Sequence, residues 1–369
     1  MRVYFRPLLL GGNPYTRELV AALEAEGIEV CGSAGRGISF ARHALSQGAR
    51  VVHLHWLWGV TSRGGRWMAR ARLGYFLAQL LLLRVLGRGI VLTVHNLYPH
   101  ESPHPDVDRL CTRAVIAIAH RTLVHGDSAK EVLQRELGLG ERTVARLVTV
   151  PHAHYADVYP DRISRTRARA VLGIGEDRFV FGNLGMIRPY KGIPALIDAF
   201  RSIGGDDIEL VIAGRPIDGP YRAEIERRIA GDPRIRFFPG FVAEDEVQTY
   251  LKAADVMVYP FENVLSSGSV ILALSMARTC VCPEVGCIRD IASPDDAYLY
   301  SPDDPDGLRN AMLRAIADRN NTEGKGRRGL ERVLAWSWEH SARCTAEIYR
   351  GLAGERVARG SEVGGTAGA

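Results

Sequence analysis

Gly182-Asn-Leu-Gly185-Met-Ile-Arg188-Pro-Tyr-Lys191-Gly192 decides the reading of this chain. The apolar run 179–181 feeds a turn that carries glycines and two fixed cations, and a helical pattern over 193–200 follows at once. Small residues let a ligand approach the backbone, the helix start offers free N–H groups, and Arg188 with Lys191 supplies paired positive charge. Together they predict a diphosphate held at the carboxyl end of a parallel strand, where open α/β sheets bind their ligands.

Working outward, short apolar runs alternate with helical patterns on both sides of this segment. Strand-like runs lie at 1–9, 28–31, 51–54, 89–94, 121–124 and 147–150, then again at 179–182, 208–213, 235–238, 256–259 and 279–282. Helical patterns fall between them, including a long one at 63–86 and a last one at 338–352. Apolar, β-branched strands separated by helices predict parallel sheets covered on both faces, and 369 residues are too many for one ordinary core. The expected division is a first Rossmann-like domain over 1–160, a second over 161–335, a terminal helix over 336–353 and a disordered tail over 354–369. The boundary falls in the Pro-, Arg- and Asp-containing connection 151–176.

A hydrophobic fraction of 46% with 24% charged residues describes a globular protein. The net charge of +5 suits an anionic small ligand or an acidic membrane surface and is too weak to argue for nucleic acid. Six cysteines are sparse, and the first ten residues read as a strand, which predicts reduced thiols in a cytoplasmic protein. Cys280-Val-Cys282 lies on an apolar run without a second ligand pair, so no metal site is expected there.

On the 182–192 segment the chain resembles the GT-B glycosyltransferases of the large group 1 (family 4-like) superfamily, whose second domain opens with a comparable Gly…Arg…Lys-Gly stretch. Further matches follow in order: Ala213-Gly214-Arg215-Pro216 at a strand end, then Phe241-Val242 with Glu244, Val247, Tyr250 and Ala254-Asp255-Val256. Next come Pro260-Phe-Glu262-Asn-Val-Leu-Ser266-Ser267-Gly268-Ser269 and the strand and turn 279–286. The resemblance implies an α/β GT-B fold, two Rossmann-like domains whose parallel sheets face an interdomain cleft. It also implies a nucleoside diphosphate sugar as donor, no further cofactor and no metal. Donor contacts are expected from Gly185, Arg188, Lys191, Gly214, Arg215, Phe241, Val242, Glu262, Ser266, Ser267, Gly268 and Ser269. Many members carry two glutamates seven residues apart at this last turn, for the sugar and the ribose. Here residues 264–266 and 272–274 contain no acid, so retention of anomeric configuration is not implied. The Ser-Ser-Gly-Ser form resembles branches that make polysaccharides, lipid-linked oligosaccharides or glycosylated natural products.

The resemblance assigns the acceptor to the first domain. Gly11, Gly12, Asn13 and Tyr15 lie between the first strand and helix, and His53-Leu-His55-Trp56 ends a strand with both imidazoles on one face. Val91-Leu-Thr-Val-His95 matches the family's strand-terminal Thr-x-His, which places His95 in the cleft. With Arg188 and Lys191 on the leaving diphosphate, His95 is the expected catalytic histidine; an inverting reaction needs a base, for which Glu101 and Asp127 stand nearest in sequence. If the reaction retains configuration, the donor phosphate itself receives the proton. The stretch 63–88 holds six arginines, no acid and a leucine-rich run too short to span a bilayer, a composition suited to peripheral contact with an anionic membrane at its inner face. Two motifs carry nothing: Gly324-Lys-Gly326-Arg-Arg-Gly329 has no strand before it, and Asp106-Val-Asp108 opens a helix.

The reading is a metal-independent hexosyltransferase acting on a hydroxyl of a lipid-linked saccharide, a polysaccharide precursor or a secondary metabolite. An inactive GT-B homologue serving as partner subunit or sugar-binding module, and a sugar-nucleotide epimerase or phosphorylase, stay open at this point. So do the nucleotide, the sugar and the stereochemistry.

Overall fold

In a computed structural model describing residues 1–8, 14–33, 39–57, 59–62, 64–97 and 102–354, the chain forms two six-stranded sheets. The first contains β1 (Arg2–Arg6), β2 (Glu29–Gly32), β3 (Val51–Leu54), β4 (Gly89–Thr93), β5 (Arg121–Val124) and β6 (Leu147–Thr149), in the order β2-β1-β3-β4-β5-β6. The second contains β7 (Phe179–Leu184), β8 (Ile208–Gly214), β9 (Ile235–Pro239), β10 (Val256–Val258), β11 (Thr279–Pro283) and β12 (Ala297–Tyr300), in the order β12-β11-β10-β7-β8-β9. Every pairing is parallel. Each sheet reverses its strand order once, between β1 and β3 and between β7 and β10. Crevices open at such reversals beyond the strand ends, so the glycine-bearing loop after β7 sits at a ligand position.

The central strands are buried on both faces: every residue of β3, β4, β7 and β8 is buried, which is why they read as largely apolar runs. Helix Ile193–Arg201 shows how the coverage arises. Gly192 enters it with φ +66, Pro194 stands in its first turn, and Ile193, Leu196, Ile197 and Phe200 form a buried i, i+3, i+4, i+7 face on the second sheet. Truncating Phe200 to alanine would cost about 3–5 kcal/mol.

The terminal helix Trp338–Leu352 returns to the first domain and packs on helix Pro14–Ala25. Arg350 donates to the Glu26 carbonyl at 2.5 Å, Ser341 Oγ to the Pro151 carbonyl at 2.8 Å, and Tyr349 is fully buried. The apolar core of the first domain therefore continues through Tyr155 and Trp338 into one face of the second sheet.

The structure departs from the sequence reading at two places. The 151–176 connection contains helix Arg165–Leu172, capped by Ser164 and closed by Gly173 at φ +68. Its Arg169 is fully buried, donating to the carbonyls of Ala253, Gly175, Glu176 and Arg178 and pairing with Asp255 at 2.8 Å. Residues 324–329 lie inside helix Thr322–Leu334, where a side chain on Gly326 would strike the Ala277 carbonyl; those glycines serve close packing. The tail prediction falls on residues 355–369, outside the described residues, as do Gly11, Gly12, Asn13 and Glu101.

Candidate active site

Between the two domains lies a cleft of about 580 Å³. The second domain supplies most of its wall from loops beyond β7, β8, β9 and β10; Asn96, Tyr155 and Tyr159 close the other side. Of the residues expected at the donor, Gly185, Lys191, Gly214, Arg215, Phe241, Val242, Ser266, Ser267, Gly268 and Ser269 line it together. Arg188 stands three residues before Lys191 in the same turn, outside the lining, and Glu262 is exposed and outside it too.

The loop geometry explains the residue types. Gly214 has φ +145, and a Cβ there would sit 1.7 Å from the Gly185 carbonyl oxygen, so the β7 and β8 loops touch backbone to backbone. Gly185, at φ +139, leaves open the space between Lys191 Nζ and Ser269 Oγ. Lys191 closes a short 3₁₀ turn, Pro189–Lys191, and is buried; its ammonium donates to Ser269 Oγ at 3.2 Å and stands 5.4 Å from the Phe261 ring centre. Burial first, and the Arg188 charge second, bring its pKa down to about 8. Among the described residues no carboxylate pairs with it. Helix Gly268–Ser275 points its start into the cleft, with Ser267 as its cap and the buried Ser266 Oγ lacking a hydrogen-bond partner. A buried cation, an orphan hydroxyl and a helix start converge on one space, the arrangement an anion requires.

The first domain presents a row of imidazoles. Adjacent strands β3, β4, β5 and β6 are each followed within three residues by a histidine: His55, His95, His125 and His152. His55 Nδ1 lies 3.2 Å from His95 Nε2, and His95 Nδ1 lies 3.3 Å from His125 Nε2. His125 Nδ1 donates to the Val150 carbonyl at 3.0 Å. Trp56 stacks on His95 at 4.3 Å, and Tyr15 sits edge-on to it at 4.8 Å. Behind the row, His53 Nε2 meets Thr93 Oγ1 at 2.7 Å and its Nδ1 meets the Tyr349 hydroxyl. Burial lowers all five rings: His55 and His152 to about 3, His125 to about 4, His53 and His95 well below the ordinary value. They are neutral at physiological pH.

Of the expected acceptor residues, His55 and Trp56 line a small cavity of about 40 Å³ with His95 and Asn96, and Tyr15 packs in the ring cluster beneath. Asn96 also lines the large cleft, so the two spaces adjoin. Asp127 opens helix Asp127–Leu137 with an exposed carboxylate that Lys130, at 2.8 Å, and Thr149 hold below its usual range. The sequence reading, which expected cleft architecture from the hinge stretch Val150–Tyr155, missed His125, Trp338 as a ring neighbour and Tyr159 as a cleft wall. A signal for His125 existed: the same residue type ends consecutive parallel strands.

Comparison with known proteins agrees with this geometry. Residues 178–318 match the family described as Glycosyl transferases group 1. A GDP-mannose:glycolipid 4-beta-D-mannosyltransferase of Xanthomonas campestris pv. campestris is 27% identical over 281 residues, 74% of each chain. Among solved structures, sucrose-phosphate synthase from Thermosynechococcus elongatus superposes with a TM-score of 0.75 at 19% identity, covering 95% of this chain and 98% of that one. Anabaena HepE in complex with UDP-glucose does so at 0.71 and 14%, covering 95% and 99%. Residues 178–318 thus match the group 1 glycosyltransferases, and the chain as a whole has the GT-B fold of the solved structures it superposes on.

Proposed function

We propose that this glycosyltransferase moves a hexosyl group from a nucleoside diphosphate sugar, held by the second domain, to a hydroxyl of a lipid-linked saccharide entering across the first. The observation that carries the donor half is buried Lys191 without a carboxylate partner, beside Arg188 and Ser269. A diphosphate in the Gly185–Gly214 opening gives that ammonium its counter-charge, accepts from Ser266, Ser267 and Ser269, and meets the N–H groups of Gly268 and Ser269. Fixed cations then stabilise the departing diphosphate, which makes a divalent metal unnecessary for leaving-group charge. Phe241, 73% exposed at the cleft rim with Val242 and Arg215 nearby, is placed to cover the nucleobase. Exposed Glu262 receives no donor contact in this proposal.

Two features favour a lipid-linked acceptor: the glycolipid substrate named for the Xanthomonas relative, and the outer face of helix Arg66–Val85. That helix buries Ala69, Leu73, Phe76, Leu80 and Leu83, yet Trp67, Met68, Tyr75, Leu81, Leu82 and Val85 are exposed on its other side, flanked by exposed Arg66, Arg70 and Arg84. No described helix is long and apolar enough to cross a membrane. An apolar stripe with arginines at both ends instead fits the plane of an anionic bilayer, peripheral contact at the cytoplasmic face where nucleotide sugars are available.

The test is a thermal-shift series with UDP-, GDP-, ADP- and dTDP-sugars on wild type and the Arg188→Ala/Lys191→Ala variant, followed by transfer to glycolipid acceptors. One nucleotide class should raise the melting temperature of wild type and leave the variant unmoved. Absence of any shift together with absence of transfer refutes the proposal.

A further inference from the structure

The three imidazoles at the ends of β3, β4 and β5 have a direction. The Val150 carbonyl can only accept, so His125 carries its proton on Nδ1 and presents a lone pair at Nε2. His95 must then donate from Nδ1, which leaves its Nε2 as acceptor, and His55 must donate to it from Nδ1. Each neutral ring thus fixes the tautomer of the next. Both nitrogens of His95 are spent inside the chain, and Trp56 covers one of its faces. The remaining lone pair is His55 Nε2, which is buried and has no hydrogen-bond partner among the described residues. His55 lines the 40 Å³ cavity beside the cleft, a volume that accommodates one hydroxyl or water.

We propose that His55, His95 and His125 form a one-proton relay in which His55 Nε2 takes the proton of the acceptor hydroxyl and His125 holds it. The inference rests on the glycosyl-transfer reading above. As the acceptor oxygen bonds to the anomeric carbon, its O–H bond breaks toward His55 Nε2. The anomeric carbon–phosphate oxygen bond breaks, and its electron pair leaves with the nucleoside diphosphate. His55 passes its Nδ1 proton to His95 Nε2, and His95 passes its Nδ1 proton to His125 Nε2. His125 is then an imidazolium whose two N–H groups face acceptors, the Val150 carbonyl and His95 Nδ1. After product release the proton returns to solvent by the reverse shift.

The surroundings fit a base that starts neutral. From the elements packed on the row, the titratable groups around it are Tyr15 of the first helix, His53 of β3, His152 of the hinge, Tyr349 of the terminal helix, and Asp127 and Asp290, which border a space with His125. Burial first, and the neighbouring imidazoles second, keep His55 and His95 as unprotonated imidazoles at neutral pH. The counter-charge for the cation arrives with the donor's diphosphate. His55 is a catalytic residue in this scheme; His95 and His125 are positioning and relay residues acting through it.

Two measurements test the relay. ¹⁵N-histidine NMR of the unmodified protein should show His55, His95 and His125 as neutral Nδ1–H tautomers; an Nε2–H form at His95 or His55 overturns the proposal without any variant or activity assay. In kinetics, His55→Gln and His125→Gln keep a hydrogen-bonding side chain that carries no proton. His55→Gln should lower kcat about 100-fold or more while the donor-induced melting shift and the acceptor KM stay as in wild type. His125→Gln should lower kcat about tenfold and flatten a curved solvent-deuterium proton inventory into a straight line, one proton in flight instead of several. Wild-type kcat in His55→Gln, or losses that follow donor affinity in both variants, overturns the relay. The donor shift itself reports separately on the glycosyl-transfer reading.

Discussion

Mild acid should destabilise this protein. His53, His55, His95, His125 and His152 are buried and neutral, with pKa values at or below about 4 wherever a value is defined. In the unfolded chain each returns to about 6.5. Between these values the unfolded state binds more protons than the folded one, so stability falls as pH drops through 6.5 and continues to fall toward the folded pKa. From pH 7.0 to 5.5 each ring contributes a loss of about 1 kcal/mol or slightly more, which makes about 6 kcal/mol for five acting independently. That is comparable with the whole stability of many proteins, and for a chain of this length it lowers the melting temperature by about 8 °C. The assay is differential scanning fluorimetry in matched-ionic-strength buffers across that interval. His53→Gln removes one of the five rings and should reduce the slope by about a fifth. A melting temperature flat to within about 2 °C over this interval would refute the reasoning, because it would mean the rings titrate normally in the fold.

Donor affinity should fall as pH rises through 8, since the Lys191 ammonium is charged below about 8 and neutral above it; isothermal titration with the preferred nucleotide sugar at pH 7 and 9 checks this. Gly214→Ala should destabilise by more than about 2 kcal/mol, because its Cβ meets backbone oxygen at 1.7 Å and no side chain can move aside; urea unfolding measures it. Wild type should float with phosphatidylglycerol vesicles, and Trp67→Ser/Leu82→Ser/Val85→Ser should abolish that flotation while leaving the melting temperature within a few degrees of wild type. Retained flotation would remove the helix from membrane contact.

The donor half was legible because its chemistry is local. Gly185, Lys191 and Gly192 lie within eight residues, and the constraints on them, left-handed φ and close approach, write themselves as glycine. The strand–helix alternation gave both sheets for the same reason. The helix around Arg169 stayed hidden because arginine reads as solvent-exposed, whereas five backbone and side-chain acceptors drawn from two segments, 175–178 and 253–255, keep this one inside. The histidine row stayed hidden because it is assembled across four strand ends separated by 25 to 40 residues. Only the sheet order makes His55, His95 and His125 neighbours; in sequence, Asp127 stood closer to attention than the histidine two residues before it.

The return of Trp338–Leu352 to the first helix has a consequence for how the protein is made. Tyr349 completes the wall behind His53, and Trp338 packs against Tyr15 and His152, so the first domain's own interior is finished by almost the last described residues of the chain. During synthesis the imidazole row is translated first and covered last. A ribosome carrying the first 330 residues holds a nascent first domain whose aromatic and histidine surface is still wet, and a cell that stops translation early, or a protease that clips the terminal helix, leaves that half open.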